Sequence, residues 1–363
     1  MKKLSAGDWS GNSELSRKQD LNNLRVIQIH PSLRCNLTCK HCYSSSGPAF
    51  KDFTNLEDLC HFLRYAKSYG FDVTSVSGGE PFLYPDLGAL FTYSHSLGNR
   101  NIAASNGMLL NSSRSRDTLQ HLDLIAISID GQPAFHDDIR NLKGAFDKME
   151  KGVEILNTMG KTFGFIHTLT DISWQHFSWL ADYAYEQGAS LLQLHPLELT
   201  GRARTEFRHL ILTPEAIYKT FILGNFLQEK YEGKMKIHLD FLHRENILKS
   251  PEIISFFGPG FEITTDNFSD VIKCLVVDEK GDIYPMSYGF NSWFCLGNIK
   301  EIKTGRDLFA DYVKIKGKAL YSLISQVFDL IINEVEEDLI TWTELIVKES
   351  HQVKYTEKSY SPA

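Results

Sequence analysis

The sequence lacks the hallmarks of a membrane, secreted or nucleic-acid-binding protein. It contains no run of 18 or more apolar residues, which is the length that a transmembrane helix requires. Residues 1–20 begin with two lysines directly after Met1 but have no apolar core of the kind that signal peptides carry. A net charge of −7 disfavours non-specific binding to nucleic acid or to anionic membranes. We therefore expect a cytoplasmic protein with no nucleic-acid partner and no membrane partner.

Cysteine is also scarce, yet half of it is concentrated in one short segment. The chain has 6 cysteines among 363 residues, and Cys35, Cys39 and Cys42 fall within eight residues. In a long chain without a signal peptide, clustered cysteines indicate a metal site more often than disulfides.

Strand-like and helix-like segments alternate through the first two thirds of the chain. Apolar strands and amphipathic helices in alternation are typical of a buried parallel sheet. The predicted strands cover 24–30, 72–77, 101–105, 122–130, 162–170 and 190–198, and the clearest helices cover 56–70, 86–98, 146–160 and 173–188. This pattern predicts an α/β fold with six β/α units. Periodicity alone suits a doubly wound sheet and a partial barrel equally well.

The alternation changes after about residue 231. Residues 234–242 and 271–286 have strand-like patterns, with a turn at 279–281, and residues 318–348 have a helical pattern. We accordingly divide the chain into a flexible N-terminal arm (1–20), a barrel (21–231) and a small α+β extension with C-terminal helices (232–363).

The cysteine cluster comes directly after the first predicted strand and reads Cys35-Asn-Leu-Thr-Cys39-Lys-His-Cys42. In parallel α/β folds, ligand-binding loops gather at the carboxyl ends of the strands. Three thiolates from one tight loop can hold three irons of a cubane cluster, which leaves the remaining iron open to a small molecule. The alternatives are a zinc site, with His30 or His41 as the fourth ligand, and buried structural cysteines.

A glycine-rich turn, Ser77-Gly78-Gly79-Glu80-Pro81, follows the second strand. Its glycines permit positive φ and a close approach of the backbone to a ligand, while Pro81 stiffens the exit. Glu80 can accept hydrogen bonds from a cationic amine. The alternative is an ordinary glycine turn that carries a surface glutamate.

Polar residues also follow the third and fourth strands. Ser105-Asn106-Gly107 ends the third strand, although a simple Asn-Gly turn explains this segment equally well. Ser128 and Asp130 share one face of the fourth strand, because side chains repeat every two residues, and a carboxylate there can bind two ribose hydroxyls. Arg140 can bind a carboxylate, with a helix-surface salt bridge as the alternative.

Together, the cysteine loop and these motifs resemble the radical S-adenosylmethionine superfamily through most of residues 24–202. The resemblance implies a partial (β/α)6 TIM-type barrel that holds a [4Fe–4S] cluster on the three clustered cysteines, with S-adenosylmethionine at the open iron. His41 takes the place of the aromatic residue that packs by the adenine in that family. Glu80 receives the ammonium group of the cofactor, and His195 contacts the adenine largely through its backbone. The full set of cofactor-binding residues that the resemblance implies is His41, Gly78, Gly79, Glu80, Pro81, Ser105, Asn106, Ser128, Asp130, Arg140 and His195.

The extension resembles the start of the SPASM or twitch domain of peptide-modifying radical enzymes, from Cys274 to the Leu-Gly-Asn-Ile stretch after Cys295. Met286 stands where the hairpin cysteine of that domain is expected, and no cysteine follows Cys295. Two thiolates are too few for an ordinary four-cysteine cluster, and a thioether is a poor iron ligand. We therefore expect a degenerate extension without a second, auxiliary cluster.

Three functions are compatible with these features. The first is a peptide maturase that uses radical chemistry on a ribosomal precursor peptide, with a flavodoxin- or ferredoxin-type electron donor. Within it, a cyclophane-type C–C crosslink is preferred over epimerisation or thioether formation. The second is a radical enzyme that acts on a small molecule or on a protein side chain, including tetrapyrrole modification or sulfatase maturation. The missing auxiliary cysteines argue against sulfatase maturation. The third is a non-catalytic iron–sulfur partner protein.

Overall fold

A computed structural model describes residues 24–352, so the predicted N-terminal arm lies outside the described residues. The strands are β1 (Val26–Ile29), β2 (Val73–Val76), β3 (Arg100–Ser105), β4 (Leu124–Ser128), β5 (Phe163–Leu169), β6 (Leu191–Pro196), β7 (Lys236–Leu239), β8 (Leu242–His243), β9 (Cys274–Val277), β10 (Asp282–Pro285), β11 (Gly297–Asn298) and β12 (Leu339–Ile340). The α-helices are α1 (Leu56–Ser68), α2 (Leu87–Ser96), α3 (Ser113–Leu119), α4 (Pro133–Arg140), α5 (Ala145–Thr158), α6 (Phe177–Glu186), α7 (Ala203–Glu206), α8 (Pro214–Lys230), α9 (Arg244–Lys249), α10 (Phe268–Val271), α11 (Leu308–Tyr312), α12 (Lys318–Asn333) and α13 (Trp342–Ser350). None of these helices is both long and apolar enough to span a bilayer.

One ten-stranded sheet organises the molecule, in the order β11-β10-β9-β1-β2-β3-β4-β5-β6-β7. Strands β1 to β7 run parallel to their neighbours, and β9 also pairs with β1 in parallel. The hairpin β9–β10 and strand β11 then continue the sheet with antiparallel pairing. Strands β7 and β11 do not pair with each other, so the sheet is an open, partial barrel. It exceeds the predicted six parallel strands by one strand on each side.

Residues on the sheet alternate between two environments. One set is almost fully buried beneath the helices and includes Ile27, Val76, Ile127 and Leu194. The other set is only partly buried, and strand register places its members side by side on the opposite face. We call this second face the lumen face; it consists of Gln28, Ser75, Ile102, Ala104, Ala126, Ser128, Ile166, Thr168, Gln193, His195, His238 and Asp240.

The C-terminal region departs from the predicted helix over 318–348. Helix α12 ends at Asn333, and α13 begins only at Trp342. Between them, Leu339 and Ile340 pair with β8 in a two-stranded sheet, and both side chains are buried. The acidic segment Glu334–Asp338 has no apolar stripe to bury, so the helical pattern breaks there in favour of this pairing.

Candidate cluster and cofactor site

The loop after β1 brings the three clustered cysteines to the carboxyl edge of the sheet. Cys39 is buried, and Cys35 and Cys42 are half-buried. Each sulfur lies near a polar group of the kind that tunes a ligating thiolate. These neighbours are the Leu37 amide at 3.4 Å from Cys35 Sγ, Arg140 Nη1 at 3.7 Å from Cys39 Sγ, and Ser44 Oγ at 3.5 Å from Cys42 Sγ.

The electrostatics of the loop suit a cationic cluster core. Burial, followed by the charges of Glu80, Cys39 and Cys42, raises the pKa of Cys35 to about 12, and the hydrogen bond from the Leu37 amide opposes this rise. Burial also raises the pKa of Cys39, although the Arg140 guanidinium opposes this. Buried thiols within reach of one another lose their protons only when a strong cation compensates the charge. Three irons of a [4Fe–4S] core supply such a charge, so these residues fit the cluster that the sequence predicts.

The turn after β2 packs directly on the cysteine loop. A Cβ atom added at Gly79 would lie 2.1 Å from the carbonyl oxygen of Arg34, and Gly78 has φ of +96°. The amides of Gly79 and Glu80 donate to the Ser32 and Arg34 carbonyls at 2.9 and 2.8 Å. Only glycine permits this approach, so the turn and the loop form one backbone unit.

Glu80 is a buried carboxylate held mainly by neutral donors. Ser105 Oγ donates to Glu80 Oε1 at 2.8 Å, and the Asn106 amide donates to Oε2 at 2.9 Å. Burial raises the pKa of Glu80 despite these bonds, and no ion pair of residues 24–352 includes it. A buried carboxylate in this state favours a cationic ligand, which is what the predicted contact with an ammonium group requires. Asn106 Nδ2 also donates to Asn36 Oδ1 of the cysteine loop at 2.8 Å, which ties the third strand to the loop.

Asp130 lies at the centre of a second buried group. Arg140 Nε and Nη2 donate to its two oxygens at 2.6 and 3.1 Å, and His41 Nε2 lies 2.8 Å from Oδ1. Burial opposes ionisation, but Arg140 and His41 hold the pKa of Asp130 well below its usual range. The Asp130 amide donates to His136 Nδ1 at 3.2 Å, and burial lowers the pKa of His136 to about 4, so this imidazole is neutral.

Six of the predicted cofactor residues form two hydrogen-bonded sets, and Ser128 and His195 lie outside both. Glu80, Ser105 and Asn106 form the first set, and His41, Asp130 and Arg140 form the second. Arg140 also contacts Cys39, so the second set reaches the cysteine loop directly. Pro81 opens a short 3-10 turn behind Glu80. Ser128 lies on the lumen face, and no hydrogen bond between described residues joins it to Glu80 or Asp130.

His195 lies at the far side of the lumen face, in a network of side chains that the sequence patterns did not indicate. Its Nδ1 is 2.8 Å from Asp240 Oδ2, and its Nε2 is 3.2 Å from Glu198 Oε1. Burial alone would lower the pKa of His195, but the hydrogen bonds and charges of Asp240 and Glu198 raise it to about 10. Strand alternation in Lys236–Asp240 is the one signal that could have placed Asp240 beside His238 on this face.

Sequence comparison assigns the barrel region to a known family. The model of the Radical SAM superfamily matches residues 29–184. The chain is 31% identical to the pre-heme d1 synthase of Dinoroseobacter shibae over 302 residues, which cover 78% of this chain and 74% of that protein. It is 28% identical to the AdoMet-dependent heme synthase of Methanosarcina barkeri over 282 residues, or 74% of this chain and 78% of that one. The match to two further curated relatives covers 45% and 47% of the length of those relatives.

Peptide-modifying proteins are also among the relatives. The sporulation killing factor maturation protein SkfB of Bacillus subtilis is 24% identical over 229 residues, which cover 62% of this chain and 54% of SkfB. The structure of anSMEcpe with bound AdoMet has a TM-score of 0.60 at 17% identity, over 90% of this chain and 96% of that chain. The structure of Streptococcus suis SuiB bound to the precursor peptide SuiA has a TM-score of 0.55 at 16% identity, over 72% of this chain and 59% of that chain. At these identities, the two structures show a shared fold.

Proposed function

Because this chain belongs to the radical SAM superfamily and is an enzyme of that class, we propose that it modifies a ribosomal precursor peptide through a radical at a side-chain carbon. Cys35, Cys39 and Cys42 would hold the [4Fe–4S] cluster, and the Glu80 and Asp130 sets would hold S-adenosylmethionine. When bound, these groups supply a 5′-deoxyadenosyl radical that removes a hydrogen atom from the substrate. A flavodoxin- or ferredoxin-type protein would supply the electron.

The open lumen face is the observation that carries the choice of a peptide. The face is only partly buried from β1 to β7, and the sheet stays open between β7 and β11. A flexible chain can enter such an open-sided channel and place one side chain beside the cysteine loop. The lumen-face side chains of β3 to β5 are mostly small or apolar, which suits contact with an aromatic side chain of a peptide. The relative SkfB and the fold shared with SuiB support this choice.

We propose a cyclophane-type C–C crosslink as the product, with epimerisation and thioether formation as the alternatives within the same class. A crosslink removes two hydrogens from the peptide and therefore leaves one electron to be accepted. We propose that the extension holds no auxiliary cluster, so the electron returns through the cluster of the barrel or passes to an external acceptor.

The test is co-expression of the enzyme with short peptides encoded beside its gene under low oxygen, followed by intact-mass measurement. Loss of two hydrogens from one peptide, absent with Cys39→Ala, is the expected result. An unchanged mass with a changed configuration at one residue would favour an epimerase. No modified peptide in any co-expression would contradict the proposal.

A second candidate is a tetrapyrrole-modifying enzyme, which the 28–31% identity to heme and pre-heme d1 synthases favours. Incubation of the reduced, cluster-loaded protein with S-adenosylmethionine and an iron porphyrin that carries propionate groups distinguishes the two. Formation of 5′-deoxyadenosine coupled to a change in porphyrin mass would support this candidate over the peptide.

A further inference from the structure

The lumen face has two chemically different walls. Strands β3 to β5 contribute small or apolar side chains, such as Ala104, Ala126 and Ile166, beside the cysteine loop. The carboxyl ends of β6 and β7 contribute titratable side chains instead. Register places His195 next to Thr168 on one side and level with Asp240 on the other, where the Asp240 amide donates to the Leu194 carbonyl at 3.0 Å.

These titratable groups form an unbroken chain of hydrogen bonds. Glu198 Oε1 lies 3.2 Å from His195 Nε2, and His195 Nδ1 lies 2.8 Å from Asp240 Oδ2. On its other side, Asp240 Oδ1 lies 2.9 Å from His238 Nε2. Every step is within hydrogen-bonding distance.

The two ends of this series of hydrogen bonds lie in different surroundings. Glu198 belongs to the segment after β6 that packs against the cysteine loop, where the Arg202 amide donates to the Cys42 carbonyl at 2.9 Å. The charge of Glu198 also acts on the neighbouring Tyr43 phenol. At the other end, the His238 side chain is 49% exposed on the edge strand β7. The series of hydrogen bonds therefore runs from beside the cysteine loop to solvent.

We propose that Glu198, His195, Asp240 and His238 form a proton path that carries a proton from the substrate to solvent. This inference rests on the proposed function, in which a crosslink removes two hydrogens from the peptide. One leaves as a hydrogen atom to the 5′-deoxyadenosyl radical. The other leaves as an electron, accepted by an iron–sulfur cluster or a flavodoxin-type acceptor, and as a proton, accepted by the Glu198 carboxylate.

A relay requires each group to receive one proton and to pass one on. His195 is an imidazolium at neutral pH, because the two flanking carboxylates favour its charged form. When it passes its Nδ1 proton through Asp240 to His238, it keeps its Nε2 proton, so the ring must turn about the Cβ–Cγ bond before Nδ1 can take the proton held by Glu198. Gln193 Nε2 donates to Asp240 Oδ2 at 2.9 Å and holds that carboxylate in place.

Glu344 of α13 is a further charged group that interacts with His195. Burial raises the pKa of the Glu344 carboxyl, the charge of Glu198 acts in the same direction, and the charge of His195 opposes the rise. The Lys348 ammonium, one turn further along α13, opposes that rise.

The first experiment measures how much crosslinked peptide forms for each 5′-deoxyadenosine released by the cluster-loaded enzyme. In Asp240→Asn this ratio is expected to fall on the order of 10²-fold while 5′-deoxyadenosine release continues, because general acid–base steps contribute factors of this size. Imidazole added to the buffer should restore part of the ratio, which a purely structural defect would not allow. His238→Gln, at the exposed end, should show a smaller loss because water can replace its side chain.

The matched control is His61→Gln, which removes an exposed histidine that lies 3.6 Å from Glu57 on α1 and should leave the ratio unchanged. An unchanged ratio in Asp240→Asn, or a loss that imidazole does not restore, overturns the proton path. If the wild-type enzyme modifies no peptide, it is the proposed function that fails.

Nitrogen NMR of the histidine rings, in the cluster-loaded protein without substrate, tests the proton path independently of the peptide. His195 is expected to keep both ring protons well above neutral pH, and Glu198→Gln or Asp240→Asn should each lower its pKa. Titration of wild-type His195 at an ordinary value near 6.5 would contradict the path, since its flanking bonds would then be absent in solution.

Discussion

The two sides of the lumen are built by different means. On the side of β1 to β4, backbone atoms make the closest contacts, as where Gly79 meets the Arg34 carbonyl, and the key side chains Glu80 and Asp130 are almost fully buried. On the side of β6 and β7, side chains make the contacts, and His195 and Asp240 remain 36% and 22% exposed. The first side can hold a ligand in one geometry. The second side can exchange protons with solvent, which a fully buried group cannot do.

The largest effect should come from the cysteine loop. Replacing any one of Cys35, Cys39 or Cys42 with Ala removes one of three protein ligands, so the cluster should not assemble and 5′-deoxyadenosine formation should fall to background. Iron and sulfide assays, with the electronic absorption of the purified protein, check this. Retention of activity in any one of the three variants would overturn the assignment of the cluster.

The backbone contact on the same side predicts the next largest effect. Gly79→Ala places a Cβ atom against the Arg34 carbonyl, so the turn and the loop must separate. We expect a loss of about 1–3 kcal/mol in the free energy of unfolding, from urea titration, and weaker binding of S-adenosylmethionine. Gly317→Ala is the matched control, because the nearest of the atoms around its added Cβ atom is Ile263 Cβ at 3.6 Å, which is an ordinary van der Waals contact. Equal stability of the two variants would show that the turn can move away from the cysteine loop without destabilising the fold.

Sequence patterns predicted the first side far better than the second. The cysteine loop and the Gly78–Pro81 turn are short segments whose residue types follow from local chemistry, so they are visible without a structure. The partner of His195 could not be predicted in this way, because Asp240 lies 45 residues away and reaches it only through the pairing of β6 with β7. The direct ion pair between Asp130 and Arg140 was also missed, since each residue had been assigned to a separate part of the cofactor.

In the extension, too, the sequence predicts a local turn but not the pairing of distant strands. The hairpin around Gly281 follows from turn chemistry, and that glycine has φ of +88°. That β9 would pair in parallel with β1 does not follow from either segment alone, because parallel pairing joins strands that are distant in the chain. The predicted division at residue 231 therefore remains a proposal about the sequence, while the sheet itself runs through both parts.

The proton-exchanging side predicts a moderate pH effect on stability. The folded-state pKa of His195 is raised to about 10, so its stabilising contribution is complete below about 6.5 and is lost as pH rises towards 10. Thermal unfolding of wild type and His195→Gln should therefore differ most near neutral pH, by about 2 °C given the exposure of the pair, and converge at alkaline pH. A difference that grows with pH would show that His195 is neutral in the folded protein.

The smallest effect is expected in the extension, where two cysteines lie apart. Cys274 is opposite Met286, whose amide donates to the Cys274 carbonyl at 2.8 Å, and burial alone raises the pKa of Cys274 to about 12. Cys295 accepts from the Gly297 amide at 3.4 Å, and Lys316 Nζ donates to its carbonyl at 2.7 Å. Neither thiol acts on the pKa of the other.

We therefore expect Cys274→Ser and Cys295→Ser to retain the wild-type iron content of about four irons per chain, as one cubane cluster requires. Cys60→Ser, on α1, is the control for the loss of an unrelated thiol. If either extension variant lost about half of the iron while Cys60→Ser lost none, the extension would hold a second cluster. The electron left by the crosslink would then have an acceptor inside the protein, and the open side of the lumen would lie between two redox centres rather than beside one.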